Sequence, residues 1–312
     1  MKLKSLVLAA IFSLMAAGHA LAEWAPSGPI RLQIGFGAGG ETDTIGRVIA
    51  KKMAEDTGWT IVAENKPGGG GLAMFTQVAV MKPDGQTIGL GVSMPVLVNL
   101  VLRGDELPFD LDSFDYLGTA AYAQLAIVAR ADAPFDDLQG LIDHAKANDG
   151  ALIGFDAKPQ ELLLNLVARE SGAELKPVSM KSSAEQIQNV LGGHVIASFS
   201  AGAHIPYLES GDLKMIASAN ATRHGYAKDV ATVQEQGFDI YVDPYFYFAA
   251  PAGLPEDARK ALTDALSGAI ASQEVTSAIN NAFKADPTNL GPEGTRMMMD
   301  KGLDNVAKLF GK

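Results

Sequence analysis

"IRLQIGFGAGGETDTIGRVIAKKM", residues 30–53, sets the reading of the whole chain. Its opening, "IRLQIGF", is β-like. From Asp43 to Gly58 the apolar residues Ile45, Val48, Ile49 and Met53 recur at helical spacing. Between the two lie Gly35, Gly37 and Gly40, which spell G-x-G-x-x-G. A strand, a glycine turn and a helix start together offer backbone N–H groups to an anion. Thr42 adds a hydroxyl donor. Thr42 or Asp43 is placed to cap the helix, and Gly58 to end it.

The alternation continues along the chain. β-like runs stand at "WTIVAE" (59–64), "QTIGLGV" (86–92), "AQLAIVAR" (123–130), "ALIGF" (151–155), "LKPVSM" (175–180), "VIASFS" (195–200) and "LKMIASA" (213–219). Helical runs separate or follow them, among them "LAMFTQVAVM" (72–81), "QELLLNLVARESG" (160–172) and "SAEQIQNVLGG" (183–193). The chain closes on two helical stretches, 255–273 and 292–311. Strands separated by helices predict an α/β fold with mostly parallel sheets, which binds ligands at the carboxyl ends of its strands.

Composition narrows the function classes. With 312 residues, 47% of them hydrophobic, the chain can build two domains. Against 25 Lys and Arg stand 36 Asp and Glu, a formal charge of -11, which argues against binding nucleic acid through its phosphates. A local set of dipoles can still bind a small anion. "MKLK", the apolar "SLVLAAIFSLMAA" and Ala20-Leu21-Ala22 read as a cleaved signal peptide over residues 1–22, with the mature chain beginning near Glu23. The expected location is the periplasm. There is no cysteine, so thiol nucleophiles, disulfides and Cys-zinc sites are excluded.

Catalytic patterns are weak. The histidines beyond His19 are His144, His194, His204 and His224, with no metal-binding spacing, so no metal site is expected. "GVSMP" at 91–95 lacks the last glycine of a nucleophile elbow, and "NKPGGGGLAMF" lacks the Lys-Ser/Thr of a P-loop. A dinucleotide site has the best local match, because Glu64 ends the next β-like run where a ribose-binding acid would stand. Against it, Glu41 and Asp43 would compete with a phosphate for the helix N-terminus. A turn serving only tight packing is the plainest alternative. No cofactor and no catalytic residue are expected.

These residues resemble the solute-binding proteins of tripartite tricarboxylate transporters, the TctC or Bug family. The resemblance rests on ordered blocks: "PIRLQIGFGAGGETD" (29–43), "IVAENKPGGGG" (61–71), "KPDGQTIGLG" (82–91), "LGGHV" (191–195), "SGDLKMIA" (210–217), "DVATVQEQGF" (229–238) and "APAGLP" (250–255). It spans essentially the whole mature chain. It implies a type II-like periplasmic binding protein fold with two crossing hinge strands and the ligand enclosed between two domains. By the resemblance, residues 23–122 and 245–312 form one domain and 123–244 the other. A monomer is expected. It would capture a di- or tricarboxylate or an aromatic acid by domain closure and deliver it to a two-component permease. A periplasmic sensor partner of a receptor kinase, an exported enzyme and a dinucleotide-binding oxidoreductase remain as alternatives.

The resemblance also implies site residues. The first loop contributes Phe36, Gly37, Ala38, Gly39, Gly40, Thr42 and Asp43, the last as a ligand contact or a helix cap. Glu41 replaces the family's small residue and is expected to face solvent. Ser93 either donates to the ligand or is a solvated turn serine. The second-domain loop departs from the family's Gly/Ser-rich run. It reads "GFDAKPQELLL" (154–164) and offers Phe155, Asp156, Lys158, Gln160 and Glu161. Lys158 pairs with an anion or is solvated. Met180 in "VSMKSS" stands for the family's tyrosine. "FSAGAH" (199–204) offers Ser200, Ala201 and Gly202, and Tyr245 either covers the ligand's apolar body or packs in the core. These departures imply a specialised ligand.

Overall fold

A computed structural model describes residues 24–309; the expected signal peptide lies outside them. The elements run β1 (Ile30–Ile34), α1 (Glu41–Thr57), β2 (Ile61–Asn65), α2 (Leu72–Val78), β3 (Thr87–Val92), α3 (Ser93–Arg103), β4 (Phe114–Tyr122), β5 (Ala126–Arg130), α4 (Leu138–Ala147) and β6 (Ala151–Phe155). They continue as α5 (Lys158–Ser171), β7 (Leu175–Ser179), α6 (Ser183–Leu191), β8 (Ala197–Ser200), α7 (Ile205–Ser210), β9 (Leu213–Ser218), β10 (Tyr245–Pro251), α8 (Glu256–Ala271), α9 (Gln273–Phe283) and α10 (Gly291–Leu309). No helix among the described residues is long and apolar enough to cross a membrane.

The strands form two five-stranded sheets, ordered β2-β1-β3-β10-β4 and β7-β6-β8-β5-β9. In the first sheet β1 pairs parallel with β2 and β3, and β10 runs antiparallel to β3 and β4. In the second, β6 pairs parallel with β7 and β8, and β5 runs antiparallel to β8 and β9. The antiparallel strand takes the same position in both orders. In both cases it is the strand the chain enters directly after crossing from the other sheet. The mostly parallel sheets expected from the alternation are therefore mixed, because the strand that follows each crossing runs against its neighbours.

Both faces of each sheet are covered, which is why the strands read as near-continuous apolar runs. In α1 the 3.6-residue spacing puts Ile45, Ile49 and Met53 into one core with Ile34 and Leu90, joined by Leu262 and Leu266 of α8. On the other face Phe75, Leu97, Tyr247 and Met299 pack together. In the second domain Leu141, Leu163 and Val167 pack with Phe199, and Ile187 and Val190 with Val128. Gly58, in left-handed conformation, ends α1 by donating its N–H to the Ala54 carbonyl. The start differs from the expectation. The helix begins at Glu41 with Gly40 as N-cap, so neither Thr42 nor Asp43 caps it.

The chain crosses between the sheets at 123–125 and again before Tyr245. Ala123 N–H donates to the Pro244 carbonyl at 2.8 Å, so the two crossings are bonded to each other. Buried Asn220 ties both. Its Oδ1 accepts from Leu125 N–H at 2.7 Å, and its Nδ2 donates to the Ala123 and Val242 carbonyls. Side-chain amides that replace missing ladder bonds keep buried crossings satisfied without fixing them in a sheet.

Candidate functional site

The first domain brings the N-terminus of α1 to the interface between the sheets. The N–H groups of Glu41, Thr42 and Asp43 have no intrahelical acceptor there, and no side chain caps them. The end is a positive pole open to an anion. Asp43 braces the loop behind it. Its Oδ2 accepts from Gly39 N–H at 2.9 Å, and its Oδ1 from Arg47 Nε at 2.7 Å and Asn65 Nδ2 at 2.8 Å. Asn65 also donates to the Phe36 carbonyl. All of these partners lie within the first domain.

The second domain brings two short segments. After β8 the chain turns through Ala201 and Ala203, and α6 starts at Ser183 after the N-cap Ser182. Together they hold a carboxylate, and that carboxylate is Glu41. Its Oε1 accepts from Ser200 Oγ at 2.9 Å, Ala201 N–H at 2.8 Å and Ala203 N–H at 2.9 Å, and its Oε2 accepts from Ser183 Oγ. The residue is 8% exposed, not turned to solvent as expected. Position in sequence gave no hint of this. The partners lie 142 to 162 residues away. Burying a carboxylate costs several kcal/mol unless its lone pairs are met, and four donors meet them without a counter-cation.

Ser200 is itself held by a row of buried polar groups. Its hydroxyl lies 3.0 Å from His204 Nδ1, and His204 Nε2 lies 2.8 Å from Tyr226 Oη. Tyr226 reaches His224 Nδ1 at 2.8 Å, and His224 Nε2 reaches Asn220 Oδ1 at 2.7 Å. Burial pushes His204 down to about 3 and His224 down to about 4, so the row is uncharged at neutral pH. It links the Glu41 site to the residue that ties the crossings.

The cavity between the domains is lined by Phe36, Gly40, Glu41 and Thr42 from the first loop. Asp156, Gln160, Ser182, Ser183, Gln186, Ser200 and Ala201 face them, and Val92, Met94, Phe199, Val242 and Phe246 supply apolar walls. No Lys, Arg or His lines it. Asp156 is half-buried and stands between this cavity and a neighbouring groove beside 67–70. Its Oδ1 accepts from Gln160 Nε2, and its N–H donates to Gln160 Oε1, both at 2.9 Å. Burial, and next the charge of Glu41, push its carboxyl up to about 7. Gln186 is fully buried. Its Oε1 accepts from Phe199 N–H, while its Nε2, on the Asp156 side, completes no hydrogen bond.

Of the residues named from sequence, Phe36, Gly40, Thr42, Asp156, Gln160, Ser200 and Ala201 line this cavity. Gly37, Ala38, Gly39 and Asp43 stand behind it. Gly37 N–H donates across the interface to the Lys181 carbonyl at 2.9 Å. Phe155, Lys158 and Glu161 open on a neighbouring groove beside 67–70, where Lys158 pairs with Glu161 at 2.8 Å. Ser93 is buried rather than solvated and accepts from Tyr245 N–H at 3.0 Å. The Tyr245 ring packs edge-on against Tyr122. Glu64, the supposed ribose acid, faces Lys66. Sequence reasoning missed Ser182, Ser183 and Gln186. Their signal was the pair of serines opening "SSAEQIQNV" (182–190), where an N-cap puts hydroxyls at a helix start.

A model of the tripartite tricarboxylate transporter family receptor matches residues 45–301. The UPF0065 protein in gbd 5′region of Cupriavidus necator is 31% identical over 262 residues, covering 81% of this chain and 77% of that one. A solved structure of a periplasmic transporter is 26% identical with a TM-score of 0.83, covering 93% of this chain and 98% of that chain. MatC from Rhodopseudomonas palustris, solved with bound malate, is 22% identical with a TM-score of 0.80, covering 91% and 99%. At that identity the likeness concerns the fold.

Proposed function

Because this chain belongs to the tripartite tricarboxylate transporter receptor family, we propose that it captures a small carboxylate outside the cytoplasm and presents it, domains closed, to a membrane permease. One observation carries the reading: the uncapped N-terminus of α1 opens into a cavity enclosed by both domains. Its free N–H groups and the Thr42 hydroxyl suit a carboxylate, and the helix pole supplies the charge that the cationless walls do not. The bonded crossings at Ala123 and Pro244 are the hinge about which the domains part, since irregular segments absorb the dihedral change. The signal peptide read in residues 1–22 supports a periplasmic location.

The test is a calorimetric and thermal-shift screen of the mature protein against mono-, di- and tricarboxylic and aromatic acids. An acid that binds and raises the melting temperature is the expected result. A full set of acids without heat or shift would overturn the reading.

A further inference from the structure

The two halves of the cleft differ in what they still have to offer. In the second domain, Ser183 Oγ, Ser200 Oγ and the N–H groups of Ala201 and Ala203 form a complete carboxylate receptor, and Glu41 already fills it. In the first domain the N–H groups at the start of α1 remain without a partner. Gln186, fully buried in the same wall, turns its Nε2 toward the Asp156 carboxylate without completing a full hydrogen bond, so that donor can be shared with a guest acceptor.

We propose that Glu41 acts as a built-in ligand carboxylate, so that this protein selects solutes with a single carboxylate and rejects dicarboxylates. This rests on the carboxylate reading above. The solute's one carboxylate sits at the N–H groups of Glu41 and Thr42, which line that end of the cavity. Its far end meets Asp156 and the apolar wall of Met94 and Phe199. A hydroxyl or ammonium group there finds an acceptor in Asp156. A second carboxylate finds two acids, Glu41 and Asp156, and no cation. Like charge and desolvated polar groups are how a site discriminates against a near relative of its ligand. Glu41 also spans both domains, so the closed form carries a contact that a bound dicarboxylate would otherwise have to provide.

The experiment compares matched acids of equal chain length, such as butanoate, 4-aminobutanoate and butanedioate, on the mature wild-type protein and on Glu41→Ser. In the wild type a monocarboxylate is expected to bind at least about tenfold tighter than its dicarboxylate match. In Glu41→Ser the order is expected to reverse. Acetate at high concentration should raise the melting temperature of the variant and not of the wild type, by refilling the vacated receptor. A wild type that binds dicarboxylates as well as monocarboxylates overturns the proposal and leaves the carboxylate reading standing. So does a folded variant whose preference is unchanged. If Glu41→Ser does not fold, the wild-type ratio alone decides. A wild type that binds neither class overturns both readings.

Discussion

The two carboxylate-facing surfaces of the cleft are built from the same parts and end in opposite states. Each is a strand end followed by a loop and a helix start: β1 into α1 in the first domain, and β8 with the start of α6 in the second. The first presents free N–H groups to the cavity. The second is saturated by a side chain from the first. The lesson is that a donor set is a site only while nothing of the protein's own satisfies it. One residue at the first helical position decided which surface stayed open.

The largest effect is expected at Gly40, which packs directly against the opposing surface. A Cβ there would stand 3.2 Å from Ser182 Cβ and 3.3 Å from Ser183 Oγ. Gly40→Val should hold the domains apart and cost on the order of 2–3 kcal/mol in ligand affinity, roughly a hundredfold, with little change in melting temperature. Titration calorimetry reads it, and unchanged affinity would remove this loop from the site. Gly39 works differently. Its φ of 79° is a left-handed conformation, and a Cβ there has room, so the dihedral rather than contact reserves that position for glycine.

Asp156 gives an intermediate effect that depends on pH. Its carboxyl lies at about 7 in the folded chain against an ordinary 3.8, so the folded state holds the proton more tightly than the unfolded one. The group therefore costs no stability below about 3.8. The cost grows as pH rises and is complete above about 7. Asp156→Asn should thus be near neutral at pH 4 and stabilising by on the order of 1–2 kcal/mol at pH 8, the full shift being an upper bound because the cavity can admit water. Urea unfolding at both pH values measures it, and an equal gain at both would contradict the buried charge. The smallest effect is expected at Lys158. Its pairing with Glu161 is a partly exposed ion pair outside the cavity. Lys158→Ala should change stability by less than about 0.5 kcal/mol and leave affinity untouched. A tenfold loss of binding would move the solute into the neighbouring groove.

Much of this was legible in the sequence because its causes are local. The α/β alternation, the Gly58 stop and the glycine turn before α1 follow from spacing and backbone preference within a few residues. "PIRLQIGFGAGGETD" and the ordered blocks after it led to the family. Phe36, Gly40 and Thr42 were reachable for the same reason. Lys158 and Tyr245 were harder. Whether a lysine pairs with its own helix or an aromatic ring packs on a neighbouring strand depends on which surface the helix or strand turns inward.

The sequence by itself determined two wound α/β halves, a chain that crosses between them and an anion-ready turn at 35–40. Only the tertiary structure decided where Glu41 goes. A carboxylate near a helix start is satisfied by water unless the rest of the chain supplies better donors. Those donors, at Ser183 and at 200–203, belong to the second domain and meet it across the interface with the first. A side chain's destination is set by partners distant in sequence, and so the residue expected in solvent lies at the centre of the site.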